Sequence, residues 1–194
     1  MNTDRLVSRL ALALILAEIL LVLLSWLLSA MDADGVRPLL SAEGVRWFFA
    51  HFSDFIASRW LAWLLLCAMA GGCLADSQLW RPGHVRAHRQ GAIIALIVLL
   101  VYVGVLMMLT VIPHAALLSA TGSLWPSPFS RALVPVIAFG IILVSAGYGL
   151  VTRTFVSFAD VCQALARGIA RSAPLLLLYV LTIQLLESLR FAFF

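Results

Sequence analysis

Glu18 is the residue whose position most strongly suggests chemistry. It sits near the middle of an apolar run, Ala-Leu-Ile-Leu-Ala-Glu-Ile-Leu-Leu over residues 13–21. A carboxylate at the centre of a bilayer costs about 2.5–3.5 kcal/mol on insertion scales, so it must face protein or water rather than lipid. Two roles suit it: a proton or cation site, or a protonated acid hydrogen-bonded to a neighbouring helix. The structural role fits better, because no second acid lies near mid-depth in an apolar run. Gln184 is the other deep polar side chain; it reads as interhelical glue, a contact worth about 1 kcal/mol or less. Glu18 and Gln184 are thus the candidate substrate or proton residues. Glu187 and Arg190 lie three apart near the C-terminus, where an i, i+3 ion pair accounts for both.

No other constellation carries chemistry. His51, His84, His88 and His114 all fall in connectors, none beside an acid or cysteine at ligand spacing. Cys67, Cys73 and Cys162 form no disulfide framework and read as small buried residues. Nucleophile-elbow, phosphate-loop, zinc and nucleotide fingerprints do not occur. The expectation is a protein that is no enzyme, with no cofactor, no metal and no catalytic residue.

The elements that must position Glu18 and Gln184 follow from hydropathy. The chain has 194 residues, 63% of them hydrophobic and 11% charged, with a mean hydropathy of +1.07. A soluble domain has about half apolar and a quarter charged residues. Five runs reach the ~20 residues needed to cross the hydrocarbon: 6–30, 56–75, 91–112, 132–151 and 173–193. Unpaired backbone groups in lipid exclude open strands, so an all-α, polytopic transmembrane domain over 1–194 is expected. The first run is too long for a signal-peptide core and reads as a retained helix.

Two connectors are themselves amphipathic. Residues 42–55 follow Ser41, a plausible N-cap, carry Glu43 in the first turn, and continue with Trp47, Phe48, Phe49, Phe52 and Phe55. Residues 157–171 begin at Ser157 and put Phe158, Val161, Cys162, Leu165 and Ile169 on one face, with Arg167 and Arg171 in the last turns. Both read as helices lying in the membrane interface, the first alternatively as a segment that simply continues the second span, and Pro174 then starts the fifth span. All 13 basic residues are arginine, and they cluster beside apolar runs. That placement implies a lipid partner and no nucleic acid. Eight arginines against five on the two sides favour a cytoplasmic N-terminus and an external C-terminus. Gly71, Gly72, Gly140, Gly147 and Gly149 are small residues that permit close helix approach. Pro135 is placed in the first turn of span four.

Two blocks carry a family resemblance. One is Pro126-Ser-Pro-Phe129, then Val134-Pro135 and the exit Tyr148-Gly-Leu-Val-Thr-Arg-Thr154. The other is Leu39-Leu-Ser-Ala-Glu-Gly-Val-Arg-Trp47 with Gly71-Gly-Cys-Leu-Ala75. In this order and spacing they resemble the p-aminobenzoyl-glutamate transporter (AbgT) family over most of residues 35–190. The resemblance implies a bacterial inner-membrane protein and a scaffold that forms dimers or docks a larger transporter-like partner. It implies a shortened form, since the family's re-entrant hairpins, including a Ser-Ser-Asp-type motif, have no counterpart here. No family binding residue therefore maps onto this chain. A scaffold or accessory component is the expected function. The alternative is a compact oligomeric transporter of p-aminobenzoyl-glutamate-like folate catabolites, or an exporter of sulfonamides.

Overall fold

The computed structural model describes residues 2–32, 35–79, 85–111 and 128–193. Arg81, His84, His114 and the loop Gly122–Ser127 lie outside them, as do the side chains of Arg86, His88 and Arg131. Every regular element among the described residues is an α-helix: α1 Asn2–Ala30, α2 Ala42–Ile56, α3 Arg59–Asp76, α4 Val85–Val111, α5 Pro128–Val151 and α6 Phe158–Phe193. Among the described residues, five stretches are long and apolar enough to cross a membrane, with α2 and α3 counted together as one. Large apolar side chains point outward along them; Leu100 is 62% and Leu20 66% exposed, which suits a lipid rather than an aqueous surrounding.

Three expectations change. The segments 157–171 and 173–193 are a single 36-residue helix, with Pro174 inside it. Proline removes one N–H and frees the carbonyl four residues back, but Ala170 is exposed, so that carbonyl is not trapped in a dry core. Ser157 stands at the cap position, yet the end is tied by Asp160, whose Oδ2 accepts the N–H groups of Val156 and Ser157 at 2.8 and 2.9 Å. Pro135 lies two turns inside α5, because the helix begins at Pro128 rather than at 132.

The chain divides into two compact units, Met1–Ala62 with Ser172–Phe194, and Trp63–Arg171. In the first, Ser41 caps α2 by accepting the Gly44 N–H at 3.0 Å. Ser25 Oγ, on α1, donates to the Val22 carbonyl and accepts the Leu39 N–H. The Arg37 N–H reaches the Ala192 carbonyl at the end of α6, 3.0 Å away. Leu21, Leu39 and Ala192 form the buried centre, with Trp47 and Phe191 packed against it and stacked at a centroid separation of 4.3 Å. At the break between α2 and α3, Tyr179 Oη bonds Ser58 Oγ and donates to the Ile56 carbonyl, which also accepts the Ser58 N–H.

In the second unit, the core is Cys73, Phe155, Val161 and Ala164. Cys73 is buried as expected, whereas Cys67 and Cys162 are exposed; on a lipid-facing helix an apolar thiol gains nothing by turning inward. The segment of α3 here crosses α6 at Gly72. A Cβ on Gly72 would overlap the Gly168 Cα and the Ala164 carbonyl oxygen, and one on Gly168 would overlap the Ala68 carbonyl oxygen. Gly71, one residue earlier, has open space beside it.

That contrast between adjacent glycines is testable. Gly72→Ala should destabilise the protein by about 1–3 kcal/mol, the usual cost of overpacking. Gly71→Ala should be neutral or stabilising by up to ~1 kcal/mol, the helix-propensity gain. Thermal unfolding in lipid nanodiscs compares them, and similar midpoints for both would contradict the crossing.

Candidate functional site

In the first unit, the intramembrane acid has a partner. Ser188 Oγ of α6 donates to Glu18 Oε1 of α1 at 2.7 Å. Ser188 is 2% exposed, so the bond is sheltered. Glu18 Oε2 is buried and without a hydrogen-bond partner among the described residues. Glu18 thus combines one satisfied oxygen with one that is not, and an unsatisfied buried acceptor is costly. Gln184 is half-buried, one turn before Ser188, and so shares its helix face. Glu187 and Arg190 form the expected i, i+3 pair at 2.9 Å, with Arg190 largely exposed.

The second unit contains a cluster of charges that sequence reasoning missed. Asp76 Oδ1 accepts from Arg171 Nη2 at 2.8 Å, and its Oδ2 lies 3.2 Å from Arg167 Nε. The second contact is ionic only, since Oδ2 lacks hydrogen-bond alignment with any donor among the described residues. Asp76 is the last residue of α3, where the helix dipole disfavours an anion. It is also 11% exposed, against 53% and 55% for the two arginines. The cations therefore make this placement tolerable. Arg167 and Arg171 are i, i+4 on α6 and present both guanidinium groups to one carboxylate. Their spacing was visible in the sequence; nothing in it pointed to Asp76, 91 and 95 positions away.

The glycines separate into distinct uses. Gly72 makes the backbone-close crossing described above. Gly140 faces the Tyr102 ring, Gly149 the Phe155 ring, and Gly147 lies at ordinary contact from Val98. Gly71 packs against nothing. Among the described residues no three His, Cys, Asp or Glu side chains come together, and His51, the histidine whose ring is described, bonds the Trp47 carbonyl one turn back.

The Asp76 cluster predicts non-additive energetics. Arg167→Ala or Arg171→Ala alone should cost less than ~1 kcal/mol, as exposed pairs do. The double substitution leaves a mostly buried carboxylate unpaired and should cost about 1–3 kcal/mol, more than the two singles together. Adding Asp76→Asn to the double variant should recover part of the loss. Unfolding midpoints of the four proteins read this directly; strict additivity would show that the arginines do not share the carboxylate.

Compared with known proteins, residues 81–192, more than half of the chain, match the model of a family described as the AbgT putative transporter family. The match takes in the 126–154 block and leaves the 39–75 block outside. No curated protein and no solved structure gives a match.

Proposed function

Because the chain belongs to the AbgT putative transporter family, a family of membrane transporters, we propose that it serves as a scaffold or accessory component of such a transporter. The observation that carries this reading is that, among the described residues, four of the five spans are continuous, the exception being the break between α2 and α3. α1, α3, α4, α5 and α6 each run as uninterrupted helix, α6 even through Pro174. Substrate and ion sites of secondary transporters are built from broken helices whose freed backbone groups face the ligand. Continuous helices joined by a backbone-close Gly72–Gly168 crossing suit a frame instead. In this reading the chain forms a homodimer or docks a larger transporter-like partner in the bacterial inner membrane. α2 lies in the interface in this reading, with Phe49 77% exposed.

One observation favours a second reading, a compact oligomeric transporter of p-aminobenzoyl-glutamate-like catabolites or an exporter of sulfonamides. Glu18 Oε2, buried and without a hydrogen-bond partner among the described residues, is where a proton or a substrate amine would gain most.

Purified protein in phosphatidylcholine vesicles separates the two. The scaffold reading expects radiolabelled p-aminobenzoyl-glutamate to enter no faster than into empty vesicles, with or without a pH gradient. Saturable uptake lost in Glu18→Gln would overturn it in favour of the transporter. The arrangement with the N-terminus cytoplasmic has its own check: alkaline phosphatase fused after Phe194 should be active, and fused after Arg89 inactive. The reverse pattern would invert the topology.

A further inference from the structure

An apolar groove of about 500 Å³ opens between α4 and α5 in the second unit. Leu99 and Leu106 of α4 and Val136 and Ile141 of α5 form its walls. Tyr102 contributes a ring, and its one polar atom is already committed: the phenol donates to the Val136 carbonyl at 2.7 Å. The ring packs against Gly140, where a Cβ would come within 2.8 Å of it. The groove therefore has a shaped wall that a larger residue at 140 would displace.

One polar group in the lining stands apart. Ser145 lines the groove, is fully buried, and its Oγ has no hydrogen-bond partner among the described residues. A serine inside a membrane helix ordinarily donates to its own i−4 carbonyl; Thr110, Thr152 and Thr182 each do so here. Ser145 does not, and an unmatched buried donor is costly. The hydroxyl hydrogen can turn to meet an acceptor placed in the groove that Ser145 lines.

We propose that this groove binds an apolar molecule dissolved in the bilayer, of drug-like size and bearing one hydrogen-bond acceptor, a ketone- or amide-type carbonyl, that meets Ser145 Oγ. The volume lies inside the ~300–1,000 Å³ range of small-molecule sites, which are mostly apolar with few placed polar groups. Depth distinguishes this ligand from a lipid tail. The apolar span of α5 is Ala132–Val151, so Ser145 lies about 5 Å from its midpoint at 1.5 Å per residue. The hydrocarbon extends about 15 Å to either side. An ester carbonyl of a phospholipid stays near that boundary, about 10 Å too shallow. The proposal is independent of whether the chain transports anything.

Benzophenone has the required ketone and inserts into C–H bonds on irradiation, so it serves as the probe. The protein in nanodiscs of ester-linked phosphatidylcholine is titrated with it, irradiated and mapped by mass spectrometry. Saturable labelling is expected on Leu99–Leu106 and Val136–Ser145. Half-saturation should rise about three- to tenfold in Ser145→Ala, the loss of one neutral hydrogen bond, and stay near the parent value in Ser145→Thr. Leu99→Trp, which fills the groove, should abolish the saturable part. Ser145→Ala should unfold no earlier than the parent, since it deletes an unpartnered hydroxyl. Labelling that never saturates and spreads over all lipid-facing side chains would overturn the proposal, as would indifference to Ser145→Ala. Two further results also count against it. Stronger labelling in ether-linked lipid would make a lipid ester the occupant, and cross-links between copies would make it a second chain.

Discussion

Hydrocarbon offers no hydrogen bonds, so a chain that lives in it must satisfy its own backbone. This constraint explains why the regular elements are helices, and it explains more closely what happens where helices end or break. Tyr179 supplies a donor to Ile56 at the α2–α3 interruption. The Arg37 N–H meets the Ala192 carbonyl at the last turn of α6. Asp160 gathers two N–H groups at the start of α6, and Ser41 one at the start of α2. Tyr102 reaches across from α4 to the Val136 carbonyl of α5.

The same constraint sets what can be read from sequence. Hydropathy alone gives the spans, because a run of ~20 apolar residues has no other stable form in lipid. Local pairs are equally legible: Ser41 with Gly44, and Glu187 with Arg190, are three residues apart. What escaped were contacts set by helix crossing. Glu18 and Ser188 are 170 positions apart, and the Gly72–Gly168 approach could not be told from the open space at Gly71. The merging of 157–171 with 173–193 was hidden for another reason. Proline is a strong breaking signal in water-soluble helices, and its cost falls where the freed carbonyl is exposed. Burial was illegible as well, because an apolar residue facing lipid and one facing protein look alike; Cys67 and Cys162 differ from Cys73 only in three dimensions.

Charge follows a consistent rule in the described residues. Asp76 is matched by two arginines, Glu187 by Arg190, and Asp160 by backbone donors. Each of these anions sits toward a helix end or at an exposed edge, where desolvation is incomplete and pairing need not be perfect. Glu18 differs in kind: it is mid-span, held by a neutral hydroxyl, and keeps one oxygen unmatched.

Three buried side-chain atoms among the described residues lack a hydrogen-bond partner; Asp76 Oδ2 faces Arg167, which leaves Glu18 Oε2 and Ser145 Oγ. They belong to different units and are of opposite character, an acceptor and a donor. Everything else that is polar and buried in their neighbourhoods is committed: Ser188 to Glu18, Ser25 to Val22 and Leu39, Tyr102 to Val136. A fold that meets the demand of lipid this fully elsewhere has little structural reason to leave these two unmet. Stability alone would favour alanine at 145, since it would remove a desolvation penalty without opening a large cavity. The frame explains the glycines, the caps and the ion pairs, and these two atoms are where it stops explaining the sequence.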